Sequence, residues 1–357
     1  MGWCLASSFV VGAELLVQAA AISVWPGSTC RRRTDGGRFG TSAPELAVSV
    51  GAGLAGNTDV AFGNVAGSNI INILLILGAS ALVGGLAVSQ RIVKLDVPIL
   101  IGVTLVTFVM ALDNRIGRVD GSLLFLGVRL YTWWLIRASR RETAAVAQEY
   151  EDAIDSVEAR TGDRPLIVQL GFVVAGVAIL ILGSQLMVGA ATDIATSLGV
   201  SDLIIGLTVV AVGTSLPEFA TSMMAAFRGQ RDLAVGNIIG SNLFNLMCVL
   251  GATGIVSGGV NVSDASLRLD FPVMIFATVV LLPIVWAGFC ITRWQGLVLG
   301  AFYLMYVAYL ILDENGSTAI GVFRSIAVVA AVLTLAAFSL AGVRGWRQHR
   351  AITAPTP

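Results

Sequence analysis

Apolar residues in this chain come in long runs rather than in alternation. Stretches of roughly 18 or more recur along it, each long enough to cross a bilayer core of about 30 Å. They predict spans at 3–22, 26–55, 60–87, 95–112, 121–138, 166–189, 198–227, 233–257, 270–290, 294–312 and 319–343. The fold class implied is an all-α polytopic membrane protein. The only long polar stretch, 139–165, mixes acidic and basic residues and reads as a solvated helical linker. The first run lacks a basic lead-in and a clear cleavage site, so it reads as a span rather than a removed signal. The span 26–55 is anomalous, because Arg31, Arg32, Arg33, Asp35 and Arg38 occupy its entry.

Composition agrees with the pattern. The chain of 357 residues is 56% hydrophobic and 12% charged, with zero formal net charge. A soluble domain carries about twice that share of charge, and neutrality gives no footing for nucleic-acid binding. The single histidine, His349, lies in the polar tail, so no histidine metal site is expected. Cys4, Cys30, Cys248 and Cys290 form no CxxC pair and read as small apolar residues. There is no nucleotide-binding glycine loop and so no sign of ATP use, and no enzymatic activity is expected. With the N-terminus outside, Arg91, Lys94, Arg137, Arg140, Arg141, Arg228, Arg231, Arg293, Arg344, Arg347 and Arg350 fall inside. Only Arg115, Arg118 and Arg268 then fall outside, which predicts an inner-membrane protein with a cytoplasmic C-terminus.

An internal repeat organises the chain. Residues from Gly40, GTSAPELAVSV, match those from Gly213, GTSLPEFATSM, and Asp59–Asn72 match Asp232–Asn245 at the same offset of 173 residues. Leu95–Pro98 match Leu269–Pro272 at 174, and Gly12–Val17 match Gly183–Val188 at 171. Each half holds five spans. Five is odd, so the second copy is predicted to thread the membrane in the opposite sense, as an inverted repeat with its site at the midplane. The expected divisions are 1–138, the linker 139–165, a second repeat at 166–312, and an extra span with its tail at 313–357.

The repeated segments carry the chemistry. Glu45 and Glu218 sit at equivalent places within apolar spans. A carboxylate at that depth costs roughly 2.5–3.5 kcal/mol on insertion scales and needs a counter-charge. No basic residue of the second repeat is placed to pair with Glu218, so a bound cation is the natural partner. Thr41, Ser42, Thr214 and Ser215 precede the glutamates, and Pro44 and Pro217 free carbonyls one turn back. Ser68, Asn69, Asn72, Ser241, Asn242 and Asn245 add polar groups, and Gly63, Gly67, Gly236 and Gly240 permit close helix approach. These hard oxygens suit Na⁺ or Ca²⁺. Glu14 is opposed by Gln185 in the repeat, and Asp193 lies near a span end. Asp96 and Asp270 stand at span starts, where capping or an interfacial position explains them.

Two copies of G-T-S-x-P-E, each followed by G-N-x-x-G-S-N-x-x-N, resemble the α-repeats of the sodium/calcium exchangers over about residues 3–312. The resemblance implies a ten-span core, no cofactor, and exchange of Ca²⁺ against Na⁺ by alternating access, with H⁺ or K⁺ as other coupling ions. By motif position it implies cation ligands at Thr41, Ser42, Glu45, Ser68 and Asn72, and at Thr214, Ser215, Glu218, Ser241 and Asn245. It also implies a ligand carbonyl at Ala211. Asn245 stands where many relatives carry aspartate, and 319–343 exceeds the usual ten spans. The alternatives in view are Ca²⁺/H⁺ exchange, an inactive remnant and a passive cation channel.

The anomaly has an explanation in the genetic code. At offset 173 the second repeat reads GLTVVA (Gly206–Ala211) where the first reads RTDGGR (Arg33–Arg38). With the codons CGG, ACT, GAC, GGT, GGT and CGC, a shift of the frame by one base turns Arg-Thr-Asp-Gly-Gly-Arg into Gly-Leu-Thr-Val-Val-Ala. The hypothesis is that about 22–38 is read out of frame between two compensating insertions or deletions. Resequencing the gene is expected to return the shifted reading; an unaltered reading with measured transport would refute it. A chain intact as written is expected to lose the first half of its site and keep the second.

Overall fold

The computed structural model describes residues 42–135, 211–286 and 288–353, together with the isolated positions 179, 193 and 197. The 22–38 segment, Thr41, Glu14, the 139–165 linker and the predicted spans 3–22 and 166–189 therefore lie outside, or almost wholly outside, the described residues. The described chain is helical almost throughout. The first half gives α1 (Ala43–Leu54), α2 (Thr58–Gly84), α3 (Ile92–Asp113) and α4 over 118–135. The second gives α5 (Ala211–Thr214), α6 (Leu216–Phe227), α7 (Arg231–Ser257), α8 (Asp264–Trp286) and α9 (Arg293–Glu314). Helix α10 (Ile320–Thr353) follows.

Six of these helices are long and apolar enough to cross a membrane. In α2 and α7, 83% and 72% of the most apolar window is buried within the protein, which makes them the centre of the bundle. For α10 the share is 11%, so this helix is the periphery and offers its surface to lipid. It packs along α8, where a side chain at Gly342 would stand 3.2 Å from the Pro283 carbonyl. Phe62, Phe108 and Phe271 fill the space between α2, α3 and α8, with ring centroids 5.1 and 5.3 Å apart.

Among the described residues, α1 to α4 match α6 to α9 in order. Helices α1 and α6 end in turns at Gly56 (φ 84°) and Gly229 (φ 74°), where only glycine adopts the left-handed backbone without strain. Both α2 and α7 then widen into π turns, at Ile71–Leu77 and Asn245–Val249. Two short antiparallel ladders tie the halves together. Strand β1 (Leu86–Ala87) pairs with β4 (Cys290–Ile291), and β2 (Arg115–Ile116) pairs with β3 (Val260–Asn261). These ladders fix the sense of each helix. Helix α2 leads to β1, and α3, of 22 residues and so about 33 Å long, separates β1 from β2. Helix α7 leads to β3, at the β2 end. The equivalent helices α2 and α7 therefore run in opposite directions.

Three sequence expectations change in detail. The predicted span 198–227 breaks at Ser215 between α5 and α6, because Pro217 has no backbone N–H to continue the ladder. The span 270–290 ends at Trp286. Asp96 and Asp270 lie within α3 and α8, and Asp96 makes no side-chain capping bond. They are 7% and 6% exposed and accept hydrogen bonds from Tyr131 and Tyr306, each at 2.8 Å, bracing α3 to α4 and α8 to α9.

Candidate functional site

Each half brings its glutamate to a helix start. Ser42 (φ −90°, ψ 13°) and Ser215 (φ −87°, ψ 4°) lie outside the helical region, and α1 and α6 begin directly after them. Pro44 and Pro217 occupy the first turn, where a missing N–H costs nothing. Glu45 and Glu218 come third in their helices, against the positive end of the peptide dipoles. Proline and glutamate thus act together: one starts the helix inside the bundle, and the other carries a charge which that start favours.

Hydrogen bonds cross between the halves. Ser42 Oγ donates to Glu218 Oε1 at 2.7 Å, and Ser215 Oγ donates to Glu45 Oε1 at 3.4 Å. Ser241 Oγ reaches the same Glu218 oxygen at 3.4 Å, and the Ser68 and Thr214 hydroxyls are 3.4 Å apart. Each carboxylate is therefore met by the serine of the opposite half. Glu45, Glu218, Ser42, Ser68, Asn72, Ser215, Ser241 and Asn245 have no solvent exposure; Ala211 and Thr214 have 1% and 5%. The Ala211 carbonyl accepts from Ser215 N and Thr214 Oγ1, both at 3.2 Å. The shortest bond to Glu218 thus comes from Ser42, in the first half.

The pocket is rich in oxygen and short of donors. Glu45 Oε2, Asn72 Oδ1 and both amide atoms of Asn245 are buried without a hydrogen-bond partner. A buried polar atom left so costs about 1–3 kcal/mol, more when charged. Two carboxylates brought together repel each other until a cation screens them. Among the described residues no group of three or more His, Cys, Asp and Glu comes together. Two carboxylates and a surround of hydroxyl and amide oxygens suit a hard cation.

The structure adds residues that the motif reading passed over. Asn64 Nδ2 donates to Ser49 Oγ at 3.0 Å and to the Glu45 carbonyl at 3.4 Å, and its Oδ1 accepts from Thr214 at 3.1 Å. It thereby ties α1 and α2 to the break before α6. Its counterpart Asn237 donates to Ser222 Oγ at 3.0 Å and to Thr221 Oγ1 at 3.1 Å. The signal was available, since Ser49 and Ser222, like Asn64 and Asn237, repeat at offset 173. Close helix approaches occur at further glycines: Gly78 meets Gly296, and Gly121 meets Gly251.

Comparison with known proteins follows the same lines. The model of the family described as sodium/calcium exchanger protein matches residues 39–137 and 168–312. CaxA of Alkalimonas amylolytica is 40% identical over 246 residues, which cover 68% of this chain and 75% of that one. The sodium/calcium exchanger MaX1 of Methanosarcina acetivorans is 29% identical over 339 residues, covering 84% and 97%. A solved structure of the sodium-calcium exchanger NCX_Mj, soaked with Na⁺ and Sr²⁺, superposes with a TM-score of 0.70 at 25% identity. It covers 86% of this chain and 99% of that one. A duplicated motif, a helical bundle spanning the membrane and matches over both halves together place this chain in the sodium/calcium exchanger protein family, a family of membrane transporters.

Proposed function

We propose that this protein exchanges Ca²⁺ for Na⁺ across the cell membrane by alternating access, with Glu45 and Glu218 as the charged ligands. The crossed serine–glutamate bonds carry the reading, because they bring both carboxylates to one place between the halves. Ser42, Ser68, Asn72, Thr214, Ser215, Ser241 and Asn245, with the Ala211 carbonyl and Thr41, supply the neutral oxygens. Two negative charges balance one Ca²⁺ and leave three Na⁺ with a surplus of one, which suits an electrogenic exchange. The opposed directions of α2 and α7 support an inverted repeat, in which rocking one half against the other exposes the site to each face in turn. The arginine bias supports an outside N-terminus and a cytoplasmic C-terminus.

The family match begins at residue 39, directly after 22–38, which supports an out-of-frame reading of that segment. The test therefore uses two genes, one as written and one with the frame restored. Vesicles holding the restored protein are expected to take up radiolabelled Ca²⁺ when an outward Na⁺ gradient is imposed, and not under a pH gradient alone. Uptake that follows the pH gradient would replace Na⁺ by H⁺ as the coupling ion. Single-channel steps in bilayer recordings would replace exchange by a passive pore.

A further inference from the structure

The halves place four asparagines at equivalent positions: Asn69 and Asn72 in α2, and Asn242 and Asn245 in α7, all without solvent exposure. Their hydrogen bonds are not equivalent. Asn242 Nδ2 donates to the backbone carbonyl of Asn69 at 3.2 Å. A carbonyl only accepts, so this bond decides which way the Asn242 amide is turned. Its Oδ1 then faces Asn72 and accepts from Asn72 Nδ2 at 2.9 Å. Asn72 is thereby held with its own oxygen turned away, and that oxygen is buried with no hydrogen-bond partner. The mirrored arrangement is not made. Asn69 Nδ2 bonds the Val65 carbonyl of its own helix at 2.7 Å, its Oδ1 is buried without a partner, and neither amide atom of Asn245 has one. Two amides at equivalent positions thus differ in kind: one is committed to presenting oxygen, and the other is unheld.

We propose that Asn242 is a positioning residue, which keeps Asn72 Oδ1 turned toward the transported cation, and that the Asn69 side chain has no such part toward Asn245. The proposal rests on the reading of Asn72 as a cation ligand. An amide free to turn presents either an oxygen or an N–H, and only the oxygen attracts a hard cation. Fixing the turn removes the unproductive orientation before the ion arrives, and an oxygen left without a donor is satisfied only when it does.

The experiment measures binding of radiolabelled Ca²⁺ to the purified full-length protein by equilibrium dialysis. Asn242→Ala is expected to weaken binding on the order of tenfold. In an Asn245→Ala background, Asn69→Ala is expected to change binding by the same factor as in the unsubstituted protein, since the two side chains share no hydrogen bond. In an Asn72→Ala background, Asn242→Ala is expected to add nothing beyond about twofold, because it acts through Asn72. Should the alanine variant fail to fold, Asn242→Leu keeps the volume, removes the same hydrogen bonds and is expected to show the same weakening. A full effect of Asn242→Ala without Asn72, or an Asn69→Ala effect that vanishes without Asn245, would overturn the positioning role alone. No Ca²⁺ binding by the unsubstituted protein, or no loss on Asn72→Ala, would overturn the ligand reading beneath it.

Discussion

Replacing Glu218 by glutamine is expected to abolish Ca²⁺ uptake while leaving the protein folded. The change keeps the shape of the side chain and removes one of the two charges at the centre. Glu218 has no solvent exposure, so water does not compensate for the loss. Removing one partner of a buried charge pair costs about 3–5 kcal/mol, which corresponds to a fall of about a hundredfold or more in affinity. The neutral amide also turns an N–H toward one of two donors, the Ser42 hydroxyl at 2.7 Å or the Ser241 hydroxyl at 3.4 Å. In the unloaded protein the same substitution relieves repulsion between the two carboxylates, so its melting temperature is expected to hold or rise. Radiolabelled uptake and a melting curve on the same preparation separate the effects. Unchanged uptake would remove Glu218 from the site.

Gly296→Val is expected to have the largest effect on stability. A Cβ at Gly296 would stand 2.6 Å from the Gly78 carbonyl and 2.8 Å from Ala81 Cβ, and a Cβ at Gly78 would stand 2.9 Å from the Gly296 carbonyl. Backbone faces backbone at this crossing of α2 and α9, so no flexible side-chain end is available to move aside. The same contact recurs where α4 crosses α7, with a Cβ at Gly121 2.8 Å from the Gly251 carbonyl. Overpacking of a tight core costs about 1–3 kcal/mol and more where backbone must shift, so a fall of about 5–10 °C in melting temperature is expected. Gly300→Val is the control: it lies one turn along α9, and nothing stands within 4 Å of an added Cβ. A similar fall for both variants would show that helix propensity rather than the crossing is responsible.

The offset of 173 residues marked the candidate site without coordinates. Duplication preserves spacing, so Glu45 and Glu218 identify each other, as do Ser68 and Ser241. The offset is equally informative for Asn64 and Asn237, whose bonds to Ser49 and Ser222 it marks in the same way. The pairing across the halves is a different matter. Periodicity describes one helix at a time, and nothing in it says that Ser42 reaches Glu218 rather than Glu45. Asp96 was misread for a related reason. A residue two before a proline looks like a helix start, but a π turn over Ile92–Asp96 carries the helix onward to Pro98. The carboxylate therefore lies inside the helix, where Tyr131 reaches it.

The crossed serines also bear on inheritance. A fused pair of copies in which each completes the other has lost its autonomy: neither segment, expressed by itself, retains the serine hydroxyl that its glutamate draws from the other copy. Co-production of the two fragments should restore what each lacks alone, and natural variation on one side will be filtered by its counterpart on the other. A lesion just upstream of Ser42 is thus felt at residue 218, far along the gene but a single hydrogen bond away.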